Sequence, residues 1–257
     1  MKQKSYSTAK TVQKALRLLE VLGEKQPIRP PELVQLLELS RSNVHRLLAT
    51  LRKMGYVEKD FDSRYRLSFK VFMLGNTVLG RNHLSDIAHL YMARLAETSQ
   101  ENVNLALMYE QSVLYVDKIE SPHYLKLDQP VGKSDPLHCT ALGKVLLSGL
   151  SDHELEVFLR SNKLVPYTKK TITDPEVLVG AVRNVRKKGY ATDLEELRDG
   201  IHCIGAPIRD HTNKVAAAIS ISGPTVRLTK QKMEELKGPL IETAAEISRK
   251  IGSTKFS

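Results

Sequence analysis

The side chains best suited to chemistry are concentrated in one stretch, SRSNVHRLLATLRK at 40–53. At about 100° per residue on a helix, Val44, Leu47, Leu48 and Leu51 form one apolar stripe. Ser42, Arg46, Ala49 and Lys53 then lie nearly opposite it, with Asn43 and His45 on the flanks and Arg41 at the N-terminal end. Hydroxyl and amide side chains can read base edges, a guanidinium can pair with guanine or phosphate, and a helix N-terminus attracts phosphate. No carboxylate interrupts the stretch. The chemistry is that of nucleic-acid binding; the plainer alternative is an amphipathic helix with a charged outer face.

Two other pairs carry metal-ligand or nucleophile chemistry on paper: His138-Cys139 and His202-Cys203, with Asp117 or Asp193 available to complete a zinc site. Adjacent residues on a strand point to opposite faces, so at most one of such a pair converges on a site. There is no Cys-x-x-Cys, and the spacing is not that of a zinc ribbon. The cysteines are therefore expected to pack as small apolar residues, with a metal-binding regulator using Cys139 and Cys203 as the alternative. Neighbours in sequence seldom have catalytic geometry, and Gly143-Lys144 lacks the preceding glycine of a phosphate-binding loop. Neither an enzyme nor a cofactor is expected.

The elements that must position the 40–53 stretch are legible around it. Residues 11–22 have helical spacing, with Gly23 as a stop just beyond. Pro30 and Pro31 open a second helix, where a missing amide proton costs nothing. A break at Glu38-Leu39-Ser40 follows, and Ser40 can cap the third helix, residues 41–54. Residues 55–59 and 64–67, around a polar turn at 60–63, read as a β-hairpin. Three short helices and a hairpin with a tight break describe a winged helix-turn-helix over residues 1–75. Lys59, Arg64 and Arg66 lie on the hairpin, where they could reach phosphate or minor groove.

Residues 76–100 read as a linker helix, and the pattern then becomes mixed. Strands are expected at 103–109, 113–117, 124–127, 190–193, 203–209 and 215–222, and helices at 140–150, from 151, from 174 and over 229–251. This is an α+β domain with hairpins, residues 101–257.

Composition agrees. The chain has 257 residues, a net charge of +10, 41% hydrophobic residues and two cysteines. Residues 1–80 carry 15 Lys+Arg against 7 Asp+Glu, and the remainder 24 against 22, so about four fifths of the basic excess sits in the first third of the chain. No apolar run approaches the roughly 18 residues of a membrane span, and residues 1–10 have no apolar signal core. Few cysteines and no signal core fit the cytoplasm, with no membrane partner.

An ordered set of motifs resembles the IclR family of bacterial transcriptional regulators. It comprises SRSNVHRLLATL at 40–51 with GYV at 55–57, YVDKI at 115–119, PLHCTALGK at 136–144, TITD at 171–174, GY at 189–190, GIHCIGAP at 200–207 and SISGP at 220–224. The resemblance implies a winged helix-turn-helix joined by a helix to a GAF-like effector-binding domain with a mainly antiparallel sheet. It further implies a homodimer or homotetramer, a palindromic or near-palindromic double-stranded DNA operator, and a small organic acid effector that alters operator binding or contact with RNA polymerase. Such regulators are mostly repressors of catabolic operons. The family pocket falls here on Ala141, Leu142, Asp193, Cys203, Ser220 and Ser222. KVFMLG at 70–75 and VDKIES at 116–121 look closest to the branch responding to 2-keto-3-deoxygluconate and related sugar acids. In one respect the chain departs from the family: Glu38 stands where a glycine is frequent in the turn before the third helix, which predicts a slightly different turn.

Overall fold

The computed structural model describes residues 9–81 and 83–252, without the side chains of 76–81 and 83. They divide into two units, the first ending at Arg81 and the second beginning at residue 82.

In the first unit the order is α1 (Lys10–Lys25), α2 (Pro30–Leu37), α3 (Arg41–Lys53), β1 (Val57–Lys59), β2 (Tyr65–Leu67) and α4 (Phe69–Arg81). The helical stripes meet in one core: Leu18 and Leu22 from α1, Leu33 and Leu37 from α2, and Val44, Leu47, Leu48 and Leu51 from α3. Val57 and Tyr65 close it from the hairpin, whose register pairs Val57 with Leu67 and Lys59 with Tyr65. α1 runs two residues beyond Gly23, which is not the stop that its type suggested. The expectation of an altered turn before α3 is also corrected. Glu38 adopts the left-handed conformation itself (φ 52°, ψ 38°), and the amide of Leu39 donates back to the carbonyl of Val34 at 3.3 Å. That is a Schellman-type ending made without glycine, at a cost of about 1 kcal/mol.

Residues 76–100 comprise the end of α4 and the whole of α5 (His83–Ser99). In the second unit α5 is followed by β3 (Asn102–Tyr109), β4 (Ser112–Ile119), β5 (Ser134–Pro136), α6 (Ala141–Ser148), α7 (Asp152–Ser161), α8 (Pro175–Lys188), β6 (Ala191–Leu194), β7 (Ile201–Arg209), β8 (Val215–Pro224) and α9 (Lys230–Lys250). The six strands form one antiparallel sheet in the order β5-β4-β3-β8-β7-β6. Alternation along the strands splits the core in two. Leu105, Ile204, Ala206, Ile219 and Ile221 pack against Met92 of α5 and Leu236, Leu240 and Ile247 of α9. On the opposite face Ala106, Val113 and Ala218 meet Val145 and Leu146 of α6, Phe158 of α7 and Val182 of α8.

The strand expected at 124–127 is not formed. The carbonyls a ladder would use are claimed by side chains: Asn102 Nδ2 donates to Leu127 O at 2.5 Å and Arg227 Nη2 to Leu125 O at 2.7 Å. The partner of β4 on that side is β5, ten residues later.

Candidate nucleic-acid interface and ligand cavity

The DNA-binding candidates lie where the helical phase put them. Ser40 caps α3, its Oγ accepting from the amide of Asn43 at 3.3 Å and lying 3.1 Å from Ser42 Oγ. Arg41, Ser42, His45, Arg46 and Lys53 are exposed and Asn43 is half-buried. Arg46 Nη2 donates to Asn43 Oδ1 at 3.2 Å, so the guanidinium and the amide are oriented together. The first turn of α3 carries no acidic residue, leaving its partial positive charge free for an anion.

The hairpin candidates are less uniform. Arg66 Nη2 pairs with Glu58 Oε2 at 3.1 Å across the strands, at two exposed side chains, where such a pair is worth little and yields readily. Arg64 is half-buried; its backbone amide donates to Asp60 Oδ1 at 2.8 Å, which fixes the turn. Lys59 extends over the Tyr65 ring at 6.0 Å. Lys70 was not among the candidates. It donates to Met54 O at 2.8 Å and lies 4.6 Å from the Tyr56 ring centroid, tying α4 to the end of α3.

In the second unit, sheet register brings the other candidates together. Asp193 on β6 is directly opposite Cys203 on β7, and Cys203 is opposite Ser222 on β8. One step along, Ser220 faces Gly205 on one side and Asn104 on the other. Gly205 has a specific role here: a Cβ would stand 3.3 Å from the carbonyl carbon of Ala141, so its absence lets the first turn of α6 descend onto the sheet. Thr140 caps that helix, accepting from Gly143 N at 2.9 Å and donating to Pro136 O at 3.0 Å. The amides of Ala141 and Leu142 have no partner among the described residues. All six sequence candidates, Ala141, Leu142, Asp193, Cys203, Ser220 and Ser222, line one small cavity.

Six polar residues in this cavity were not anticipated: Asn104, Tyr115, Gln129, Asp135, Thr140 and Arg198. Asn104 carried a signal, as an amide in the middle of an apolar strand. Gln129 and Arg198 come from loops without periodicity and carried none. Asn104 Nδ2 donates to Ser222 Oγ at 2.9 Å, while its Oδ1 is buried with no partner among the described residues. At one end Tyr115 OH (3.0 Å) and Gln129 Nε2 (2.7 Å) both donate to Asp135 Oδ2.

The carboxyls here are unusual acids. Burial pushes Asp193 up to about 7, reinforced by the charge of Glu196 and opposed by the amide of Glu196, which donates to it at 2.7 Å. Burial also raises Asp135, against the Tyr115 hydrogen bond and the charges of Arg198 and Lys133. Asp193 can therefore present a hydroxyl as well as an acceptor near neutral pH, whereas Asp135 accepts from Tyr115 and Gln129. Burial holds the Cys203 thiol well above its usual range and pushes Cys139 up to about 12, so neither is a thiolate.

The metal alternative finds no support. His138 Nε2 lies 3.0 Å from Val165 O, His202 Nδ1 2.8 Å from Leu228 O and Asp117 Oδ2 2.8 Å from His89. No group of three metal-ligating side chains occurs among the described residues. A more open cleft lies beside β6, lined by Lys144, Asn184, Lys188, Tyr190, Thr192, Lys230 and Glu234 with apolar side chains between them, and holds none of the six sequence candidates.

Below the cavity Lys144 Nζ forms a buried ion pair with both carboxylate oxygens of Glu196, at 2.5 and 2.7 Å. It fastens α6 to the turn between β6 and β7. The arrangement as a whole is a small cavity that joins polar side chains to free helix-terminal amides, which can hold an anion.

Comparison with known proteins bears on both units. Residues 11–60 match the IclR helix-turn-helix domain, and residues 76–249 match the bacterial transcriptional regulator IclR C-terminal domain. The HTH-type transcriptional regulator KdgR of Escherichia coli K12 is 34% identical over 250 residues, covering 97% of this chain and 95% of that protein. The transcriptional repressor IclR of the same organism is 31% identical over 246 residues, covering 94% and 90%. The crystal structure of the Thermotoga maritima IclR superposes with a TM-score of 0.81 at 34% identity, covering 95% of this chain and 99% of that one.

Proposed function

Given that this chain belongs to the IclR family of bacterial transcriptional regulators, we propose that it represses a catabolic operon and is controlled by a sugar acid bound beneath α6. It is a DNA-binding transcriptional regulator and not an enzyme. The observation that carries the effector reading is the convergence of unpartnered amides of α6, two serines and the buried carboxyls of Asp193 and Asp135 in one cavity.

In this proposal Ser42, Asn43, His45 and Arg46 read bases in the major groove, and Ser40, Arg41, Lys53, Arg64 and Arg66 position the protein on phosphate. The protein works in the cytoplasm as a homodimer or homotetramer on a palindromic or near-palindromic operator, and the effector changes operator binding or contact with RNA polymerase. Association of copies is supported by exposed apolar side chains on the first unit: Phe69, Phe72 and Met73 on α4, and Val12 and Leu16 on α1. The two Phe rings lie 5.0 Å apart. No helix among the described residues is long and apolar enough to cross a membrane.

The test is binding to the DNA upstream of the gene at several salt concentrations. Arg46→Ala should cost about 1–3 kcal/mol of operator affinity, with effector binding unchanged. Unchanged operator affinity would show that the reading face of α3 is wrongly phased.

A further inference from the structure

We infer that the cavity selects acids bearing a second anionic group at its exposed mouth, and that Arg198 recognises that group. The inference rests on the effector reading above and narrows it. Arg198 is the one basic side chain among the residues lining the cavity. It is exposed at the mouth, and its guanidinium makes no hydrogen bond or ion pair among the described residues.

Its backbone, in contrast, is held. The turn from 195 to 200 is fastened by Thr168 Oγ1 to Glu195 O (2.7 Å), by Thr171 Oγ1 to Glu196 O (2.6 Å) and by the Gly200 amide to Glu195 Oε1 (2.9 Å). A fixed base thus carries a free cation. Arg198 is not there to neutralise Asp135. Its charge reaches that carboxyl, but the hydrogen bonds on Asp135 come from Tyr115 and Gln129. The anion-binding capacity at the mouth is unspent.

The buried first turn of α6 already suits one carboxylate, through the free amides of Ala141 and Leu142, and the buried Oδ1 of Asn104 has no donor among the described residues. An acid with one carboxylate on α6 and hydroxyls on the serines and Asp193 leaves Arg198 in water. A second carboxylate or a phosphate at the mouth gains a charge-assisted, bidentate partner, which a planar guanidinium provides better than an ammonium.

The experiment is calorimetric titration of the full chain with three acids on the same six-carbon skeleton: D-gluconate, D-glucarate and 6-phospho-D-gluconate. One or both of the dianionic acids should bind about tenfold or more tightly than gluconate, since a hydrogen bond to a charged group is worth at least that factor. Arg198→Gln should abolish the advantage and leave gluconate affinity within about twofold, while Arg198→Lys retains part of it. Which dianion gains tells carboxylate from phosphate. Binding of gluconate with no gain for either dianion overturns this inference and leaves the effector reading standing. Equal weakening of all three acids in Arg198→Gln also overturns it, because Arg198 then holds the shared end. Absence of heat with every acid, in protein that still binds its operator, overturns the sugar-acid reading itself.

Discussion

Replacing Asp193 by Asn should stabilise the second unit, and by an amount that depends on pH in a defined direction. The carboxyl is about 7 in the folded protein and 3.8 as its ordinary value. Folding therefore binds a proton between those values, and the ionised group is the one that burial disfavours. Below pH 3.8 the carboxyl is neutral in both states and costs nothing; as pH rises through 3.8 toward 7 the cost grows, and above 7 it is complete. At 1.36 kcal/mol per unit, it amounts to about 2 kcal/mol at pH 5 and about 4 kcal/mol at pH 8. Asparagine keeps an oxygen for the amide of Glu196 and carries no charge, so Asp193→Asn should gain most of that cost at pH 8 and less than half of it at pH 5. The protein has no tryptophan, so urea unfolding followed by circular dichroism at 222 nm is the suitable assay. Equal stability of the two proteins at pH 8, or a difference that does not change with pH, would refute the view that the cavity holds a protonatable carboxyl. The same reasoning makes binding of a hydroxylated acid tighter at pH 6 than at pH 8.

Glu38→Gly should stabilise the first unit by about 1 kcal/mol, because it removes a left-handed non-glycine residue and a negative charge from the end of α2; a thermal melt with no upward shift would contradict this. Gly143→Ala should destabilise the second unit by about 1–3 kcal/mol and weaken effector binding, since a Cβ there would stand 2.1 Å from Leu137 O, and denaturant titration measures it. Lys144→Met should cost about 3–5 kcal/mol by stranding Glu196 in the interior, with recovery in the double variant Lys144→Met/Glu196→Leu; if the double variant is no better than the single, the pair is not the source of the loss.

Much of the first unit was legible because its information is local. The period of Val44, Leu47, Leu48 and Leu51 determines which face of α3 is buried, and so which side chains are presented outward, without reference to anything distant. Ser40 as a cap and the paired prolines of α2 are equally local. Glu38 was misread because glycine frequency in a turn expresses a preference of about 1 kcal/mol, which the packing of α2 against α3 can override. The strand expected at 124–127 failed for a related reason: Asn102 and Arg227, 25 and 102 residues away from the carbonyls they bind, took the groups a ladder needed.

The cavity divides along the same line. Family resemblance named all six pocket residues, and the chain alone adds only that Ser220 and Ser222, two apart, share one side of a strand. Whether Asp193, Cys203 and Ser222 form a row, and whether Asn104 joins Ser220, depends on the register of four strands, where a slip of one residue would turn every side chain to the opposite face. Register is a property of the assembled sheet. The weakened acidity of Asp193 follows from burial that exists only once α6 has closed on that sheet. Arg198 sits on a turn with no period to betray it, and its place at the mouth is decided by Thr168 and Thr171, some thirty residues earlier. Sequence determined the reading head, whose chemistry lies on a single helix; tertiary structure decided the sensing cavity, whose polar walls are drawn from five strands, a helix terminus and two loops.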